Sequence, residues 1–381
     1  MEKEEIDFNN KKVILRVDYN VPITNNKITD NFKILSSLKT INYLLDKNAK
    51  IILMSHLGKI NNETDKQNNS LRLVALELSK IIGFGVKFCP FTRGRELEDM
   101  IDSLLPKEIL LMENTRFEDV PNNYESGCDM ELSKYWASLG DIFVLDAFAS
   151  AHRKHASTFG IPSFIPSTLG FLVNSEIEVM DKIKVINKSL LLGGSKVSDK
   201  IKLISSLSKN SDYICLGGMM CFTFLKASKE ETYDNFVDES FLSTAKKLLE
   251  DNKNKIILPI DVVTNNGIKD VYKINKSDII FDIGPKTISL FEDKLLNSSC
   301  VICNGTMGKF EDSKYKNGTT ELFKFLNNNS IKTIVCGGDT SNAVHELGID
   351  FDYVSTGGGA TLEYLEKGSL EVIDHIKKAN K

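Results

Sequence analysis

A short apolar, β-branched run recurs along the chain, closed by glycine or polar residues and followed by a segment of helical period. In the first half the runs are "KVILRVDYN", "AKIILMSHLGK", "EILLMENTRF" and "DIFVLDAFASAHRKH". In the second they are "SLLLGGSK", "YICLGGMM", "KIILPIDVV", "CVICNGTMG", "TIVCGGDT" and "YVSTGGGA". Helical periodicity fills the intervals, as in "SLRLVALELSKII", "DKIKLISSLSK" and "ATLEYLEKG". This alternation constrains the fold to α/β, with parallel sheets flanked by helices. A chain of 381 residues supports about two such domains. Pro162 and Pro166 in "STFGIPSFIPS" break helix and restrict the residues before them. The first domain is therefore expected over residues 1–170 and the second over 171–365. "NSEIEVMDKIKVINK", Asn174 to Lys188, predicts an amphipathic helix joining the two.

Composition removes several function classes. A formal charge of −4 gives no electrostatic footprint for nucleic acid. No apolar run reaches the length of a membrane span, and "MEKEEIDFNNKK" lacks a signal-peptide core. Seven cysteines at scattered spacings suit thiols in a reducing compartment, so a cytoplasmic protein is expected. Cys300 and Cys303 form a C-x-x-C, but their run reads as a buried strand, where residues three apart face opposite sides.

Ligands of open parallel sheets bind beyond the carboxyl ends of the strands. In the first half those ends carry Asp18 and Asn20, His56 and Lys59, Asn114 and Arg116, and His152 and Arg153. Basic groups gathered from separate strands suit a small, highly anionic ligand. His152 and His155 lack the further ligands that a catalytic zinc needs. The second half ends its strands in glycines: Gly193–Gly194, Gly217–Gly218, Gly337–Gly338 and Gly357–Gly358–Gly359. Such turns let backbone amides approach a ligand, and the helix starts that follow favour negative charge. Asp339 adds a carboxylate suited to a Mg²⁺ that bridges phosphates. An acidic-ligand site and a nucleotide site on separate domains point to phosphoryl transfer across a cleft that closes.

Taken in order, "RVDYNVP", "SHLGK", "ENTRF", "DAFASAHRKHAST", "GGSKVSDKI", "NGTMGKFE", "GGDT" and "STGGGA" resemble the phosphoglycerate kinase family over almost the whole length. The resemblance implies two Rossmann-like domains joined by a hinge helix, with a tail at 366–381 packing back toward the first. It implies reversible transfer from 1,3-bisphosphoglycerate to MgADP, giving 3-phosphoglycerate and MgATP, by a monomer. It assigns Asp18, Asn20, Lys33, His56, Lys59, Arg116 and Arg153 to phosphoglycerate, with Lys33 and Arg153 also serving catalysis. Lys196 is the lysine that follows the transferring phosphoryl group, and Lys200 a nearby phosphate contact. The nucleotide is assigned Gly217, Gly218, Asn304, Glu311 (near the ribose), Gly338, Asp339, Thr340, Gly357, Gly358 and Gly359, with Asp339 holding the magnesium nucleotide.

Some signature positions differ. Lys33 and Lys59 stand where the family carries arginine, keeping charge but losing the bidentate fork. Met219 and Cys336 replace glycines, and Cys303 and Thr306 stand where tryptophan and proline are usual. Two other readings accompany the active kinase: a weakened homologue acting as a ligand-binding protein, and a dinucleotide oxidoreductase. The second lacks a G-x-G-x-x-G at the first βα turn.

Overall fold

The computed structural model describes residues 6–228 and 237–379. The first five residues, and the last two of the expected tail, lie outside that range. The chain divides into two compact units, residues 1–178 with 369–381, and residues 179–368.

The strands of the first unit are β1 (Lys12–Val17), β2 (Ile23–Thr24), β3 (Lys27–Ile28), β4 (Lys50–Met54), β5 (Lys87–Cys89), β6 (Ile109–Met112), β7 (Ile142–Asp146) and β8 (Ser167–Leu169). Six of them form one parallel sheet in the order β5-β6-β4-β1-β7-β8; β2 and β3 make a small hairpin. Leu15 of β1 lies beside Leu53 on one neighbour and Val144 on the other. All three are buried, as expected where helices cover both faces of a sheet. Strand order reverses at β1, which opens the ligand crevice at the carboxyl ends of β1, β4 and β7.

The second unit carries β9 (Lys188–Leu192), β10 (Ser211–Leu216), β11 (Ile256–Ile257), β12 (Asp261–Thr264), β13 (Gly267–Asp270), β14 (Ile280–Ile283), β15 (Val301–Asn304), β16 (Thr333–Cys336) and β17 (Tyr353–Val354). Its parallel sheet runs β11-β10-β9-β15-β16-β17 and reverses at β9. A three-stranded antiparallel sheet, β13-β12-β14, accompanies it and departs from the all-parallel expectation. The run "KIILPIDVV" is split: Ile256–Ile257 joins the parallel sheet and Asp261–Thr264 the antiparallel one. Pro259 stands between them, where a backbone donor is missing and the ladder ends.

The linking helix spans Phe171–Val185, three residues earlier than its periodicity predicts, and the boundary between the units falls within it. The cause is capping. Asp146, at the end of β7, accepts hydrogen bonds from Leu172 N (2.9 Å) and Val173 N (3.4 Å), and Thr40 Oγ1 accepts one from Phe171 N (3.0 Å). These bonds satisfy donors that an uncapped helix start leaves open. The helix Glu371–Ala379 belongs to the first unit and packs on β8 and the turns at 156–163. There His375 stacks on Phe159 at 4.3 Å, with its Nε2 at 3.0 Å from Ser163 Oγ.

Candidate active site

In the first unit, the loops beyond β1, β4 and β6 are locked to one another. Tyr19 N donates to Ser55 Oγ (2.8 Å), and Gly58 N donates to Asn20 Oδ1 (2.9 Å). The buried Asn114 side chain accepts from Leu57 N and Arg116 N, and donates to Leu57 O and Asn69 O. Asn114 is therefore a brace that sets where Arg116 and His56 stand. Arg116 Nη1 pairs with Asp119 Oδ2 at 3.0 Å; its Nε is buried without a hydrogen-bond partner among the described residues.

Lys33 and Asp18 meet at 2.7 Å. Burial pushes the Asp18 carboxyl upward, but Lys33 and His56 outweigh it and hold the group below its usual range. His56 is pushed down to about 3 by burial, against the pull of Asp18 and with Arg16, Arg116 and Lys33 nearby. Its Nδ1 lies 3.3 Å from Arg16 Nη2. A guanidinium only donates, so Nδ1 accepts and the neutral ring carries its proton on Nε2. Arg153 is exposed and its Nε donates to His152 Nε2 at 3.0 Å; Asn20 and Lys59 are exposed on the locked loops. His155 is buried beside Glu125, and among the described residues no three His, Cys, Asp or Glu side chains gather as a metal cluster.

Sequence reasoning missed Arg16, which is fully buried in β1. Its Nε donates to Ser157 Oγ (2.9 Å) and its Nη1 to Val17 O. Ser157 in turn donates from N and Oγ to the buried carboxylate of Glu125. One signal was available: an arginine inside an otherwise apolar strand run needs buried partners.

In the second unit, the turns after β9, β10 and β15 pack directly on one another. The amides of Gly193, Gly194, Gly217 and Gly218 donate to the carbonyls of Asn304, Thr306, Leu192 and Met307. This corrects the expectation that these amides face a ligand: they are engaged in holding the turns together. Gly218 (φ +63°) and Gly305 (φ +90°) are required, since a Cβ on either would lie within 2.5 Å of the Gly193–Gly194 backbone.

Lys200 is also inside the structure rather than at the surface. Its Nζ donates to Asn304 Oδ1, while Asn304 Nδ2 donates to Cys336 O at 2.8 Å. Burial pushes Lys200 down to about 8. Thr340 is buried, and its hydroxyl accepts from Gly305 N at 2.6 Å. Lys196, by contrast, is exposed as the N-cap of the helix Val197–Leu207. Gly338 begins the helix Gly338–Leu347, with open space where a Cβ would stand, and Asp339 is exposed in its first turn. Gly357 N donates to Ser355 Oγ, and Gly358 (φ +52°) caps the helix that starts at Gly359.

A cavity of about 420 Å³ opens between these turns and the antiparallel sheet. Gly218, Glu311 and Asp339 line it together with residues the sequence did not single out for a site, among them Phe281, Asp282 and Met307. Met219 stands on its wall, whereas Cys336 is buried in β16. Apolar wall, glycine turn and a few convergent polar groups are the ordinary make-up of a small-molecule site.

A family model described as phosphoglycerate kinase matches residues 3–368. Phosphoglycerate kinase of Fusobacterium nucleatum is 44% identical, and that of Listeria monocytogenes serotype 4b 45%, each alignment covering 98% of both chains. The solved structure of phosphoglycerate kinase from Coxiella burnetii superimposes with a TM-score of 0.83 at 32% identity, over 99% of this chain and 98% of that one. The enzyme from Pyrococcus horikoshii OT3 gives 0.85 at 28% identity, over 98% of each.

Proposed function

The chain belongs to the phosphoglycerate kinase family, and on that premise we propose how its residues divide the work. It is a phosphotransferase with a carboxyl acceptor, moving a phosphoryl group reversibly between 1,3-bisphosphoglycerate and ADP. The anhydride P–O bond breaks, the carboxylate of 3-phosphoglycerate departs, and an oxygen of the terminal ADP phosphate takes its place. Neither oxygen needs a proton moved, so positioning and charge stabilisation are sufficient.

Phosphoglycerate is assigned to the first unit, on Asp18, Asn20, Lys33, His56, Lys59, Arg116 and Arg153. The observation that carries this is that contacts tie these groups together: Arg16 meets His56, Lys33 meets Asp18, and Asn114 bonds both Leu57 and Arg116. The nucleotide is assigned to the cavity beside Met219 and Phe281, with Glu311 toward the ribose and the helix starts at Gly338–Thr340 and Gly357–Gly359 toward the phosphates. Two of these residues act from beneath in this reading: Lys200 through Asn304, and Thr340 through Gly305. Asp339 offers one exposed carboxylate, which fits a Mg²⁺ that stays mostly on phosphate and water. That ion would neutralise phosphate charge. Lys196, exposed at its helix start, follows the phosphoryl group, with Lys33 and Arg153 completing the catalytic set.

In-line transfer requires the two substrates to meet, so bending along the linking helix is part of this proposal. The same reading takes the chain as a cytoplasmic monomer. The seven cysteines, all thiols, suit the reducing compartment in that reading. The test is ATP formation from 1,3-bisphosphoglycerate, Mg²⁺ and ADP. Wild type should exceed Lys196→Ala by about a hundredfold or more; equal rates would sink the assignment of Lys196.

A further inference from the structure

Arg116, Arg16 and the turn after Arg153 are each braced from one segment of the chain, residues 119–126. Arg116 is held by Asp119, whose other oxygen accepts from Ser126 N at 2.7 Å. The neighbouring residue, Glu125, is fully buried and fastens the segment that follows Arg153 at two levels. Its carbonyl accepts from Ala156 N at 2.9 Å. Its carboxylate accepts from Ser157 N (2.9 Å) and Ser157 Oγ (2.5 Å). The same hydroxyl accepts from Arg16 Nε, so a single serine joins a buried cation to a buried anion. Arg16 then reaches His56. Burial raises the Glu125 carboxyl while Arg16 and Arg116 pull it back. With Arg16 Nε donating to its oxygen, the Ser157 hydroxyl gives its one proton to Glu125.

We propose that Glu125 is a positioning residue for phosphoglycerate: a buried counter-charge that, through Ser157 and its own carbonyl, sets the placement of Arg16 and of the turn after Arg153 without touching the ligand. This rests on the assignment of phosphoglycerate to the first unit. A glutamine at position 125 keeps the shape but offers one acceptor oxygen to two Ser157 donors and removes the buried negative charge that Ser157 links to Arg16.

The experiment measures KM and calorimetric Kd for 3-phosphoglycerate, and KM for the nucleotide, in Glu125→Gln, Ser157→Ala, the double variant and Arg116→Ala. Glu125→Gln should weaken 3-phosphoglycerate about tenfold, Ser157→Ala by somewhat less, and the double variant no more than Glu125→Gln alone, with nucleotide KM unchanged. A general loss of structure would move both substrates together. If 3-phosphoglycerate binding is unchanged in Ser157→Ala, the inference is overturned, whether or not Glu125→Gln folds. If Arg116→Ala also binds 3-phosphoglycerate like wild type, the assignment of the site is what has failed.

Discussion

Lys200 offers a direct measurement of what it costs to keep a lysine beneath the proposed nucleotide site. The residue is 8% exposed, its ammonium rests on Asn304 Oδ1, and burial lowers its value from 10.5 to about 8. A lowered lysine value means that the fold disfavours the charged form. The penalty is therefore fully present below about pH 8 and disappears as pH rises through 10.5. The difference corresponds to about 3 kcal/mol withheld from stability at pH 7, of which about 2 kcal/mol returns by pH 9.5. Lys200→Met removes the ionisable group but leaves Asn304 Oδ1 short of a donor, which costs about 1–3 kcal/mol and does not vary with pH. The two proteins should thus be similarly stable at pH 7 and diverge as pH rises, wild type gaining about 2 kcal/mol on the variant by pH 9.5. Urea unfolding from pH 7 to 9.5 tests this. It is followed by far-UV circular dichroism, because the only tryptophan, Trp136, reports on the first unit. Other titrating groups cancel in the difference between the two proteins. Parallel stability curves would refute the reasoning, showing that the ammonium is solvated or compensated.

Asp146 is the mirror case: burial raises its carboxyl to about 6, so its contribution to stability is lost as pH rises from about 4 to about 6. Asp146→Asn should flatten that part of the stability profile, read by calorimetric Tm. Met219→Gly should lower KM for ADP about threefold to tenfold by clearing the wall of the 420 Å³ cavity, with KM for 3-phosphoglycerate unchanged. An unchanged nucleotide KM would show that Met219 does not crowd the base. Gly305→Ala places a Cβ 2.3 Å from Gly193 O at φ +90° and should destabilise the protein by about 2 kcal/mol or more. The loss should fall on nucleotide binding first, which isothermal titration resolves.

The legible part of this molecule was its scaffold. The runs that form β1, β4, β6 and β7, and those of β9, β10, β15, β16 and β17, are short, apolar and closed by punctuation, because strands buried on both faces have little freedom of composition. Position at a strand end then drew attention to Asp18, His56, Arg116, Lys196 and Asp339. What stayed hidden depends on partners distant in sequence. Arg16 acquires meaning only from Ser157, 141 residues away. Phe281 and Met307 carry no chemical signal, so a cavity wall built from them reads as ordinary core. Gly193, Gly194, Gly217 and Gly218 were recognised as turns, but a sequence does not disclose that the carbonyls of neighbouring turns already occupy their amides. Lys200 reads in the sequence as a phosphate contact one helical turn past Lys196; the position of Asn304 on the adjacent strand takes it inside.

The packing of those turns bears on how such a protein can change over time. The turn at 193–194 touches both Gly218 and Gly305, so each bounds the space open to the others. A side chain admitted at one position is tolerated only after the others have moved, and substitutions here should be strongly non-additive. Met219 and Phe281 stand on the cavity wall, where a changed side chain alters the open space first. Divergence among descendants of this chain should therefore collect on that wall, altering how the base is gripped, while the floor persists or is lost as one block.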